Sequence, residues 1–235
     1  MIVGESTVSK QLSVTCVVVT IAFLLAVDVQ GALGPGDFIM TRDQRFQEGL
    51  KLYDEKSPEA YKWLLYAAEE GSLGAQTIVG ILLCYGQGIS KDQKEGIKWL
   101  RKAADQGEAM AQLELGAIHH KGDVVVQDLE EAVKWYTLAA EQGNIHAEVA
   151  LGLAYYKGEG VTKDYKEAVK WYKKAAEQGY ASAQAKLGAM YIAGAGVPLD
   201  KIKAYGLLMK AAQQGNENSQ RVLDILCKES PWACK

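Results

Sequence analysis

The run WYKKAAEQG, from Trp171 to Gly179, has three close copies upstream: WLLYAAEEG from Trp63, WLRKAADQG from Trp99 and WYTLAAEQG from Trp135. Each begins thirty-six residues after the last. A fifth copy, LLMKAAQQG from Leu207, keeps the register and lacks the tryptophan. A fixed period of this length marks a solenoid of stacked helix pairs, because one pair cannot bury its apolar face alone.

Working outward, each slot has a physical role. A helix A is expected from Ala75, Ala111, Ala147 and Ala183, with Gly80, Gly116, Gly152 and Gly188 five residues later. Glycine within a helix costs ~1 kcal/mol relative to alanine, so a close helix contact must compensate. Tryptophan from helix B is expected to fill the space beside each of these glycines. Loops Gly86-Gln87-Gly88, Gly158-Glu159-Gly160 and Gly194-Ala195-Gly196 permit the positive φ that reverses the chain. Helix B opens at Asp92, Asp128, Asp164 and Asp200, and Glu95, Glu131 and Glu167 complete the spacing of a capping box. It closes at Gly71, Gly107, Gly143, Gly179 and Gly215. The first unit, Arg45 to Gly71, has a shortened loop, where Ser57-Pro58 supplies the helix-start signal. A lone polar helix, Asn216 to Cys227, forms the cap that solenoids need at an end.

Ala183-Gln184, Leu187-Gly188, Tyr191, Gly194, Gly196-Val197, Asp200 and Ala204 carry a pattern that resembles the Sel-one-like repeat family, relatives of tetratricopeptide repeats. The resemblance spans about residues 45–227. It implies an all-α, right-handed α/α superhelical solenoid of about five helix-pair repeats with a terminal capping helix. It also implies a concave face that binds a protein or peptide, and a mostly non-enzymatic role in the bacterial cell envelope or outside the cell. Cysteine-rich secreted members associated with penicillin binding carry a cysteine pair in each repeat. Those pairs are missing here, so that activity is not carried over. The alternative is a secreted hydrolase, β-lactamase-like or acting on peptidoglycan.

A net charge of −3 gives no electrostatic footprint for nucleic acid. Leu12 to Val27 is uncharged and mostly apolar, and it is shorter than the ~20 residues that cross a bilayer. Residues 1–31 therefore read as a signal peptide cleaved near Gly31, followed by a short segment 32–44, the solenoid 45–227 and a tail 228–235. The mature protein is expected to be periplasmic or secreted, monomeric and without membrane insertion. An uncleaved anchor in the inner membrane is the alternative.

No cofactor, metal or catalytic set is expected. His119 and His120 are adjacent rather than a helical turn apart, and His119 occupies the slot of Tyr155 and Tyr191. Cys84 reads as a buried thiol. Cys227 and Cys234 are expected to form a disulfide, which an oxidising compartment permits. Partner-binding positions are those of helix A facing away from its core stripe. They are Ile78, Ile81 and Tyr85 at one end, then Glu114, Lys121, Leu153, Lys157 and Lys186. This surface suits an extended segment with some negative charge.

Overall fold

The computed structural model describes residues 40–234, and within them every regular element is helical. The expected signal peptide, its cleavage point and most of the segment 32–44 lie outside the described residues. Five hairpins follow one another: α1 (Arg42–Asp54) with α2 (Ala60–Glu69), α3 (Leu73–Tyr85) with α4 (Gln93–Ala104), α5 (Ala109–Lys121) with α6 (Leu129–Glu141), α7 (Ile145–Lys157) with α8 (Tyr165–Glu177), and α9 (Ala181–Ala193) with α10 (Lys201–Gln213). The capping helix α11 (Glu217–Glu229) packs on α10, and a 3₁₀ turn, Pro231–Cys234, folds back onto both. The fold is thus an all-α solenoid of about five helix pairs. No helix among the described residues is long and apolar enough to cross a membrane.

Close approach within hairpins explains the mid-helix glycines. A Cβ on Gly152 would stand 2.6 Å from the Tyr172 ring, and one on Gly80 would stand 2.7 Å from Leu100. The filler is therefore the residue after the tryptophan, and the expectation that the indole itself fills this space is corrected. Helix B needs one apolar side chain over the glycine and turns its next neighbour along the chain ~100° away. The indoles of Trp99, Trp135 and Trp171 instead cover the seam between successive hairpins, with Trp171 in one cluster with Ala140, Leu151 and Tyr155.

The helix B starts also differ in one respect. Asp92, Asp128, Asp164 and Asp200 accept the amide three residues on, at 3.0, 2.9, 3.2 and 2.9 Å. The reciprocal half of the capping box is not used. Each aspartate amide already donates across the loop to helix A, to the carbonyls of Leu83, His119, Tyr155 and Tyr191. The glutamates turn outward and pair with Lys98, Lys134 and Lys170. A complete capping box opens α1, between Thr41 and Gln44. In the first unit α2 starts at Ala60, two residues beyond Pro58, while Ser57 Oγ accepts from the Glu59 amide.

Neighbouring hairpins are also tied by a buried glutamine row. Gln76, Gln112 and Gln184 donate to the carbonyls of Ala68, Ala104 and Ala176 in the preceding helix B, at 3.0, 3.1 and 3.3 Å. Within their own hairpins, Gln142, Gln178 and Gln214 then donate to Gln112, Glu148 and Gln184. Glu148 stands in the row as an acid, 3 % exposed, and burial pushes its carboxyl above the usual range although the Gln178 hydrogen bond opposes the shift. Gln106, the counterpart of Gln142, donates to Lys102 in its own helix, and Gln76 Oε1 is left buried without a partner.

Candidate interaction surface

Helices α3, α5, α7 and α9 carry the eight residues assigned to partner binding. Ile78 is half-buried against the first core cluster, and Ile81 and Tyr85 are half-buried against the next. The apolar strip therefore does not stand clear of the core, because the following hairpin leans on this part of α3. Tyr85 lies in the field of Glu114. Burial first, and then that carboxylate, push the Tyr85 phenol up to about 12, and Tyr136 likewise to about 12. Glu114 is half-buried itself, and its carboxyl is raised by burial, opposed by Lys121. Lys121 is exposed.

The remaining three residues meet. Leu153, Lys157 and Lys186 line a cavity of about 370 Å³ together with Tyr156, Tyr172 and Met190. Lys186 Nζ lies 5.9 Å from the centre of the Tyr172 ring, and Tyr172 is 2 % exposed. Leu153 also borders a smaller recess of about 130 Å³ with His120, Tyr136 and Glu159. Glu159 joins the two hollows, 3.2 Å from Lys157 and 3.4 Å from His120. Burial raises its carboxyl, but hydrogen bonds from Lys157 and His120 outweigh this and the net shift is downward.

Sequence reasoning did not single out Tyr172 for this surface. Its signal was available, because the position after each tryptophan holds Leu64, Leu100, Tyr136 and Tyr172, changing from leucine to tyrosine in the third and fourth copies. Chemically, the arrangement offers cations over an apolar floor, which suits holding an acidic or amphipathic chain. Cys84 is buried and burial pushes its thiol up to about 11, so it stays protonated at neutral pH. His146 lies edge-on to Tyr180 at 5.4 Å rather than beside the other histidines. No group of three or more metal-ligating side chains occurs among the described residues.

The Sel1 repeat family model matches residues 36–72, 74–108, 109–144, 145–180 and 181–216. The chain belongs to the Sel1-repeat family. Proteins of this Sel1-repeat class typically serve as scaffolds for protein–protein interaction. A Sel1 repeat protein from Oxalobacter formigenes is 34 % identical, with a TM-score of 0.71 over 83 % of this chain and 80 % of that one. The crystal structure of c5321, described as a protective antigen present in uropathogenic Escherichia coli strains, is 33 % identical, with a TM-score of 0.75 over 80 % of this chain. This chain spans 41 % of that antigen. Immunity protein Pa5087 from Pseudomonas aeruginosa shares the fold at 24 % identity, with a TM-score of 0.52 over 81 % of this chain and 71 % of that one. No curated protein matches.

Proposed function

We propose that this Sel1-repeat protein is a non-enzymatic scaffold or regulator, exported to the cell envelope or secreted. It holds an extended protein or peptide segment with some negative charge on its concave face. The observation carrying this reading is the cavity in which Leu153, Lys157 and Lys186 converge over Tyr172. An ammonium beside buried apolar surface rewards an acidic side chain that brings its own apolar neighbour, while the same charges discourage basic segments. Met190 and Leu153 supply that apolar floor. Export rests on the uncharged stretch Leu12 to Val27, and the description of the Escherichia coli relative as a protective antigen accords with it.

Replacing Lys121, Lys157 and Lys186 together by glutamate should cut capture of the partner by at least tenfold. These residues lie on exposed or half-exposed surface, so circular dichroism and the melting temperature should stay close to wild type. Crosslinking in the native cell, followed by mass spectrometry, identifies the partner for this comparison. Equal capture by the triple variant would discard the surface. Fractionation of the native cell with amino-terminal sequencing tests export separately, and an unprocessed cytoplasmic chain would reject it.

A further inference from the structure

Trp63, Trp99, Trp135 and Trp171 are each preceded by lysine: Lys62, Lys98, Lys134 and Lys170. The fifth repeat has Gly206-Leu207 at these two positions. Both large side chains are therefore missing from one place on α10. The walls that would receive them are nevertheless kept. Trp171 packs with Ala140, Leu151 and Tyr155, and Trp135 packs in the cluster of Ala104 and Leu115. One repeat beyond the walls of Trp171 stand Ala176, Leu187 and Tyr191, and these three line an open cavity of about 640 Å³ with Gly206 and Leu207. A Cβ built on Gly206 would meet nothing within 4 Å.

The cation that covers the indole is kept as well. Lys174 Nζ lies 4.3 Å from the centre of the Trp171 ring, and Lys102 Nζ lies 4.8 Å from that of Trp99, each lysine three residues after its tryptophan. Lys210 holds the same position relative to Leu207 and borders the cavity. Of the other lysines on the rim, Lys173 is 3.8 Å from Glu177 and Lys203 is 3.5 Å from Asp200. Lys210 has no carboxylate at ion-pair distance among the described residues. This cavity opens on the face of α9 opposite the one that carries Lys186, so it is separate from the surface proposed above.

We propose that the hollow between α8, α9 and α10 is a docking site for a tryptophan side chain of a protein partner, with an acidic residue next to it in that partner. The three seams filled by Trp99, Trp135 and Trp171 show which side chain these walls fit. Ala176, Leu187, Tyr191 and Leu207 give the hollow an apolar wall that can take up an aromatic guest of matching shape, and Lys210 adds cation–π attraction to the ring. Residues 1–39 contain no tryptophan, so that segment of the chain supplies no indole. Outside the repeats the chain has Trp232, which is 60 % exposed.

The test titrates the full chain with the capped tripeptide Asp-Trp-Glu and with Asp-Ala-Glu by isothermal titration calorimetry. Wild type should bind the tryptophan peptide at least tenfold more tightly. Leu207→Trp, which restores the filled state, should abolish that preference and raise the melting temperature. Should Leu207→Trp fail to fold, Gly206→Lys serves in its place and should weaken binding of the tryptophan peptide several-fold by crowding the mouth. Lys210→Glu should also weaken it several-fold. The triple variant at Lys121, Lys157 and Lys186 should bind it as wild type does, which separates this site from the concave surface. Equal binding of the two peptides by wild type, or undiminished binding by a folded refilled variant, would overturn the proposal. Self-association of wild type that disappears in Trp232→Ala would overturn it too, by making a second copy the occupant.

Discussion

The fourth and fifth hairpins share a backbone plan and differ in how they are filled. In α7–α8, Gly152 accepts Tyr172 so closely that a methyl group has no room, and Trp171 seals the seam to the hairpin before. In α9–α10, a Cβ on Gly188 would stand 3.0 Å from the smaller Leu208, and the seam position holds Gly206-Leu207. The same repeat register thus yields a packed unit and an open one. An added methyl group is excluded in the first and needs Leu208 to give by a few tenths of an ångström in the second, so a glycine's meaning is set by what the opposite helix places against it.

Three substitutions probe this contrast. Gly152→Val should cost about 3 kcal/mol, because overpacking forces the buried Tyr172 ring to move. Chemical denaturation measures this, and a loss near zero would mean the hairpin can spread apart freely. Glu148→Gln should gain about 1 kcal/mol at neutral pH by completing the glutamine row with a donor toward the preceding helix. Its pH dependence has a definite sign. The folded protein holds the Glu148 proton more tightly than the unfolded chain does, so the stability due to that proton is complete at low pH. That stability is lost as pH rises through the raised value, so the advantage of the glutamine variant should vanish on acidification. An advantage that grows in acid would reverse the assignment. Gly206→Ala should gain about 0.5–1 kcal/mol, since α10 has helical backbone there and open space beside it. A destabilised Gly206→Ala would show that the fifth hairpin is as tightly packed as the fourth.

Much of this fold was readable from the spacing alone. Recurrence of Trp, Ala-Ala and Gly at one interval identifies the helix pairs, and the paired loop glycines identify where the chain turns. What escaped was anything whose partner is neither a helical turn away nor at the repeat interval. Gln112 takes one hydrogen bond from a residue thirty positions later and gives one to a carbonyl eight positions earlier. The row it belongs to therefore shows in sequence only as a recurring glutamine. The capping box half-failed for a similar reason, since the aspartate amides were already committed to a carbonyl across the loop. On the interaction surface, helical phase brought Leu153, Lys157 and Lys186 to one side. It could not show that Ile81 and Tyr85 are covered by the next hairpin. The missing fifth tryptophan was plain in the sequence, but its consequence needed the walls of the fourth repeat for comparison.

The two ends of the array are secured unequally. Cys227 and Cys234 are covalently joined, and Ser230 between them accepts a hydrogen bond from Lys201 at the start of α10. Toward the opposite end the second hairpin lacks the internal hydrogen bond that the three later ones have, with Gln76 Oε1 unanswered. In a linear stack where each unit touches only its neighbours, melting starts at the less secured end and travels inward. This protein should therefore unzip in one direction, from Arg42 toward the stapled end. Whatever docks near that staple is held by the portion of the chain that loses its order last.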